Sequence, residues 1–145
     1  MARAPVWPLY DVTVQGFPPI TYQAATRGKA LSMAYGDYGI LDDRIKFGAF
    51  LRIARARRRH DVPADDHYGP VRRQYGVDPT VGQRVRLQHE GDWSGREGTV
   101  LFPRSPMCHV LVLVDGENEP VRVHPMNVVL LSASVQDTGA GVGNG

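Results

Sequence analysis

Residues 81–102, "VGQRVRLQHEGDWSGREGTVLF", decide the fold. Two apolar alternations, Val85 with Leu87 and Val100 with Phe102, flank a loop that holds Gly91, Trp93, Gly95, Arg96, Glu97 and Gly98. Period-two alternation places one set of side chains on one face of an extended chain, so each flank is predicted to be a strand with its apolar set inward. The pattern recurs downstream: "QRVRLQ", "REGTVLF", "CHVLVLVD", "PVRVH" and "NVVLL" read as five short strands. Asp115-Gly116 within "VDGENEP" is a hairpin signal, because glycine takes the positive φ that such turns require. Five closely spaced short strands predict a small barrel over residues 81–131, since closure removes unpaired edges.

Gly82, Val85, Gly91, Trp93, Gly95, Gly98 and Val100 follow the pattern G-x-W/F-x-G-x-x-G-x-V after a strand that is itself preceded by glycine. This stretch resembles the KOW motif of some ribosomal proteins and bacterial transcription elongation factors. The later "VLVDGENEPVRVHPMNVVLL" is similar to the end of an SH3-like barrel, with a helical turn at Pro125-Met126-Asn127 before the closing strand. The resemblance implies a KOW-type, five-stranded SH3-like β-barrel whose loop contacts RNA or protein. It implies Trp93 as a stacking platform and Arg96 as a phosphate or base partner. Where RNA-binding members carry lysines, this loop carries Glu90, Asp92 and Glu97.

Upstream, "LYDVTVQGFPPITYQAA" (9–25) alternates Tyr10, Val12 and Val14, turns through Gly16-Phe17-Pro18-Pro19, and resumes with Ile20, Tyr22 and Ala24. A β-hairpin is predicted. Thr26 is placed to cap a helix carrying Ala30, Met33, Ala34 and Tyr38 at helical spacing, with Gly39 as its stop. A second helix is predicted from Asp42-Asp43 through "RIKFGAFLRIARARRR", with Phe47, Phe50, Leu51 and Ala54 as its apolar stripe. Trp7, Tyr10, Tyr22, Met33, Phe47, Phe50 and Leu51 would share one small core. Ala24, Thr26, Gly28, Lys29, Ala30, Phe47, Phe50 and Leu51 form a pattern that resembles small uncharacterised bacteriophage proteins. The whole is therefore expected to be α+β: a hairpin-helix-helix module (1–60), a linker (61–80) rich in proline and glycine, the barrel (81–131) and a disordered glycine-rich tail (132–145).

With 145 residues, 42% hydrophobic and 22% charged, the composition is that of a globular chain. No segment approaches the roughly 18 apolar residues of a membrane span, so no membrane contact is expected, and the expected compartment is the cytoplasm of a bacterial host cell. Cys108, the one cysteine, lies in an apolar run and is expected to be a buried, inert thiol. The formal charge of +2 is uneven: residues 1–79 hold 12 Lys/Arg against 8 Asp/Glu, and residues 80–145 hold 5 against 7.

That asymmetry peaks in Arg52, Arg55, Arg57, Arg58 and Arg59, of which Arg52, Arg55 and Arg59 would share a sector of roughly 60° on a helix. Arg72 and Arg73, interleaved with Tyr68 and Tyr75, would extend the patch, since guanidinium forks suit phosphates and rings can stack on bases. The predicted partner is therefore DNA or RNA, held by these arginines together with Trp93 and Arg96. A protein-interaction module, either a virion or assembly component or an adaptor for a host protein, is the alternative that the acidic second half favours. No catalytic residues, cofactor or metal are predicted. The five histidines lack ligand spacing, Asp65-Asp66-His67 falls in the linker, and no phosphate-cradling glycine loop or nucleophile elbow occurs.

Overall fold

The structure, a computed structural model, describes residues 6–40 and 44–131. The described chain divides into two compact units. Residues 6–40, 44–66 and 102–105 make the N-terminal unit, and residues 67–101 and 106–131 make the C-terminal unit. The expected tail (132–145) and the Asp42-Asp43 helix start lie outside the described residues.

In the N-terminal unit, β1 (Leu9–Val14) and β2 (Ile20–Gln23) form the predicted hairpin, with Tyr10 opposite Tyr22 and Val12 opposite Ile20. Gly16 turns the chain at φ +89°, a value that a side chain would make unfavourable. Helix α1 (Arg27–Tyr38) starts as expected: the Thr26 hydroxyl accepts the Lys29 amide at 3.1 Å, satisfying a donor that has no partner within the helix. Helix α2 (Phe47–Ile53) then passes directly into β3 (Ala54–Arg59), which pairs antiparallel with β1 to give the sheet order β2-β1-β3.

The strand β3 corrects the expected long helix. Alanine and arginine are good helix formers, and local propensity alone favours continuation past Ile53. Two effects oppose it. A helix would bring the guanidinium groups of Arg55, Arg58 and Arg59 together at i, i+3 and i+4 spacing, and it would leave the second edge of β1 unpaired. As a strand, "ARARRR" alternates, and Ala54 and Ala56 turn towards the core while Arg55, Arg57 and Arg59 turn away.

The core under the sheet is Tyr10, Val12, Val14, Tyr22, Ala24 and Ala54 against Ala30 and Ala34 of α1 and Phe50 of α2. Phe47 and Leu51 are exposed instead of joining it, because less than two full turns of α2 can aim only Phe50 squarely at the sheet. Trp7 and Met33 are half-buried. The Tyr22 hydroxyl donates to Asp37 Oδ2 at 2.7 Å, and burial followed by that carboxylate raises its pKa above the ordinary tyrosine value.

In the C-terminal unit, all five predicted strands form: β4 (Arg84–Leu87), β5 (Glu97–Val100), β6 (Val110–Val114), β7 (Val121–Val123) and β8 (Val128–Leu130). They make one antiparallel sheet in the order β7-β6-β5-β4-β8, curled into a half-barrel and not closed as expected. The edge strands β7 and β8 have three residues each, and the core is capped by a helix instead of by strand closure. That helix, α3 (Gly69–Tyr75), corrects the linker assignment for 61–80. Tyr68 and Val71 are fully buried with Val85, Leu87, Val100, Val112 and Val114. The Tyr68 hydroxyl donates to Leu101 O at 2.6 Å and accepts from Leu111 N at 3.1 Å, bridging the end of the β5–β6 ladder.

Gly98 faces the tightest approach in the sheet, since a Cβ there would lie 2.5 Å from the Leu113 carbonyl oxygen. Pro125–Asn127 forms the expected helical turn, a 3-10 turn in which His124 Nδ1 accepts from Met126 N. Two expectations fail beside β6 and β5. Cys108 is exposed, because the strand begins only at Val110. Phe102 does not face the barrel interior: Phe102–Ser105 belongs to the N-terminal unit, where the Phe102 amide donates to Gln23 Oε1 at 2.7 Å.

Candidate nucleic-acid interface

Strand alternation sets the charge distribution of the N-terminal sheet. Its helix-free face carries Asp11 and Thr13 from β1, Thr21 from β2, and Arg55, Arg57 and Arg59 from β3. Residues two apart on a strand lie about 6.7 Å apart on one face, so the three arginines form a row. The register sets Asp11 opposite Arg57 and Thr13 opposite Arg55.

Asp11 is the acid that could neutralise this row, and its carboxylate is already occupied. Thr21 Oγ1 donates to Asp11 Oδ1 at 2.6 Å, and Arg59 Nη1 lies 3.4 Å from Oδ2. Arg59 also pairs with Asp61 at 3.2 Å, which makes it the anchored member of the row. Arg55 Nη1 donates to the Ala54 carbonyl at 3.1 Å, a contact that leaves its positive charge uncancelled. Arg57 makes no hydrogen bond or ion pair among the described residues, and both Arg55 and Arg57 are exposed. Asp37, the acid on α1, is held by Tyr22 and by Arg104 Nε at 2.6 Å, and the Arg104 guanidinium also lies 6.0 Å from the centre of the Tyr22 ring.

The other predicted residues are placed differently. Arg52 is exposed on α2, and Arg58 is exposed on the opposite sheet face, across from Tyr10. Arg52, Arg55 and Arg59 therefore do not share a helical sector. In the C-terminal unit, Arg72 Nε bonds Asp78 at 2.5 Å and its Nη2 bonds the Pro79 carbonyl at 2.7 Å, while Arg73 is exposed. Trp93 is half-buried against the half-barrel core, and the Arg96 guanidinium lies 5.1 Å from its ring centre. Arg96 also reaches Glu117 at 3.3 Å and the Asp115 carbonyl at 2.8 Å. In the loop the Trp93 ring and the Arg96 guanidinium engage each other.

Arg84, which sequence reasoning passed over, makes a two-pronged ion pair. Its two Nη atoms fork onto Asp115 at 2.8 and 2.5 Å, with the Thr99 hydroxyl at 3.0 Å. The hydrogen bond to Asp115 is the main influence that raises its pKa further and fixes it as a cation. Asp11 and Thr13 were missed too, although the period-two reading of "ARARRR" opposite "LYDVTV" was the available signal. Among the described residues, no group of three or more His, Cys, Asp or Glu could hold a metal ion, and no helix is long and apolar enough to cross a membrane. Comparison with protein-family models, curated proteins and solved structures finds no match.

Proposed function

We propose that this protein is a non-catalytic, bacteriophage-type accessory protein that binds nucleic acid through the helix-free face of its N-terminal sheet. One observation carries the reading: Arg55 and Arg57 stand exposed in a row whose neighbouring acid, Asp11, is ion-paired to Arg59 and hydrogen-bonded by Thr21. Guanidinium groups not ion-paired to an acid can displace counterions from phosphates, and that displacement gives affinity without base recognition. Arg52 and Arg58 add exposed positive charge in the same unit. The resemblance of residues 81–102 to a KOW loop is a second support, with Gly82, Gly91 and Gly95 all at positive φ where that motif carries glycine.

A gel shift with generic DNA tests this. With two to four phosphate contacts, counterion release predicts that affinity falls about 10- to 150-fold between 50 and 200 mM salt. An Arg55/Arg57→Ala variant should bind weakly and with a shallower salt dependence. Binding indifferent to that variant, or absent at low salt, rejects the reading.

Such a result would favour the protein-interaction alternative, which a separate observation supports. On the helix side of the same unit, Val12, Phe17, Ile20 and Tyr38 line an apolar cavity of about 80 Å³, and Phe17 and Ile20 are exposed at its rim. A cavity of that size accommodates an aliphatic side chain from another protein.

A further inference from the structure

We infer that the outer edge of β3 accepts an extended segment of another protein as an added antiparallel strand, one that alternates acidic with apolar residues. The inference is separate from the nucleic-acid reading, because backbone groups stand at the centre of this contact.

Register identifies those groups. β3 ends the order β2-β1-β3, so one of its edges has no strand beside it among the described residues. Along an antiparallel pair, residues that exchange backbone hydrogen bonds with the neighbour alternate with residues whose N–H and C=O point the other way. Gln15 N donates to Ile53 O at 2.8 Å, and the same register continues through Thr13 with Arg55, Asp11 with Arg57 and Leu9 with Arg59. These are the bonded pairs. Ala54, Ala56 and Arg58 therefore turn their C=O groups outward, and Ala56 and Arg58 their N–H groups too. The Arg55 side chain takes one of them, the Ala54 carbonyl, at 3.1 Å. The outward groups of Ala56 and Arg58 bond no other described residue, and an unpaired edge of this kind is a template for a further strand.

Charge selects the occupant. A strand bonded at Ala56 and Arg58 meets Arg55 and Arg57 in non-hydrogen-bonded pairs, where side chains approach most closely. Both arginines are exposed, so carboxylates at those two positions, separated by one residue, complete opposite-charge pairs. The residue between them lies opposite Ala56, which is half-buried against the core of the unit, and an apolar side chain there extends that core. A second copy of β3 fits poorly. Bonding Ala56 to either Ala56 or Arg58 of the copy sets arginine opposite arginine, and like charges so placed repel.

The test uses the full chain and a blocked peptide, acetyl-Glu-Val-Glu-Val-Glu-amide, followed by backbone-amide NMR. The amide protons of Ala56 and Arg58 should exchange rapidly in the free protein and become protected by the peptide, whereas those of Arg55 and Arg57 should be protected throughout. N-methylation of both valines removes the amides that meet the edge and leaves the charge unchanged, and it should weaken binding at least about 5-fold. N-methylation of the central glutamate, whose amide points away from β3, should have little effect. Arg55/Arg57→Ala should weaken binding about 2- to 30-fold. No binding at about 1 mM peptide overturns the inference. So does valine methylation without effect, which leaves a contact of charge alone, or binding without new protection at Ala56 and Arg58. Each of these results leaves the nucleic-acid reading standing, and failure to bind DNA leaves this inference standing.

Discussion

The two units differ in where their arginines are paired. In the C-terminal unit Arg72, Arg84, Arg86 and Arg96 each pair with an acid of the same unit, namely Asp78, Asp115, Glu97 and Glu117. In the N-terminal unit Arg55 and Arg57 have no acid partner among the described residues, and the acids closest to them in register or sequence are held by other groups. Sequence counts of charge are therefore a poor guide to the field outside a protein. Cross-strand register decides which charges are cancelled, and the same residue type is structural scaffold at Arg84, Arg96 and Arg59 and exposed potential at Arg55 and Arg57.

The contrast can be tested through the two tryptophans, Trp7 in the N-terminal unit and Trp93 in the C-terminal unit, each followed by fluorescence after the other is replaced by Phe. The largest effect expected is from Gly98→Ala, whose added methyl meets the Leu113 carbonyl and should lower the stability of the C-terminal unit by about 3 kcal/mol. The Trp93 transition should move. Arg84→Ala comes next. It strands the half-buried Asp115 carboxylate without its fork, so a loss of about 2 kcal/mol is expected in urea unfolding followed at Trp93.

Arg96→Ala removes a contact with Trp93 and an ion pair that is two-fifths exposed, and about 0.5–1 kcal/mol is expected. Nucleic-acid affinity should fall less than for Arg55/Arg57→Ala, because the Arg96 guanidinium is already engaged by Glu117 and Trp93. Arg57→Ala is expected to change stability by less than about 0.5 kcal/mol, because no internal interaction is lost. Its effect should appear in the salt slope of DNA binding, reduced by about 0.9. A stability loss at Arg57 as large as that at Arg84 would erase the contrast between the units.

Much of the architecture could be read locally. The hairpin at Gly16–Pro19, the Thr26 cap and the five barrel strands follow from alternation and turn chemistry that act over a few residues. The helix-to-strand change at Ala54 was hidden because its cause, the open edge of β1, lies some 40 residues away in the chain. Tyr68 and Val71 were hidden for a similar reason: a seven-residue helix in a proline-rich stretch shows too little periodicity to announce that it caps a core. The candidate arginines were visible as a cluster, but their grouping was not. A helical projection joined Arg52 to Arg55 and Arg59, whereas the strand joins Arg57 to them and turns Arg58 to the other face.

Sequence alone determined that this chain would be an α+β protein with a glycine-bent five-stranded sheet and a concentrated block of arginine, because backbone preference and hydrophobic period are properties of neighbouring residues. Only the tertiary structure decided that the sheet stays a half-barrel, that the block is an edge strand, and which guanidinium groups keep their charge uncancelled. Those outcomes depend on which distant strand offers an unpaired edge and which carboxylate the register sets within reach, and neither is a property of neighbouring residues.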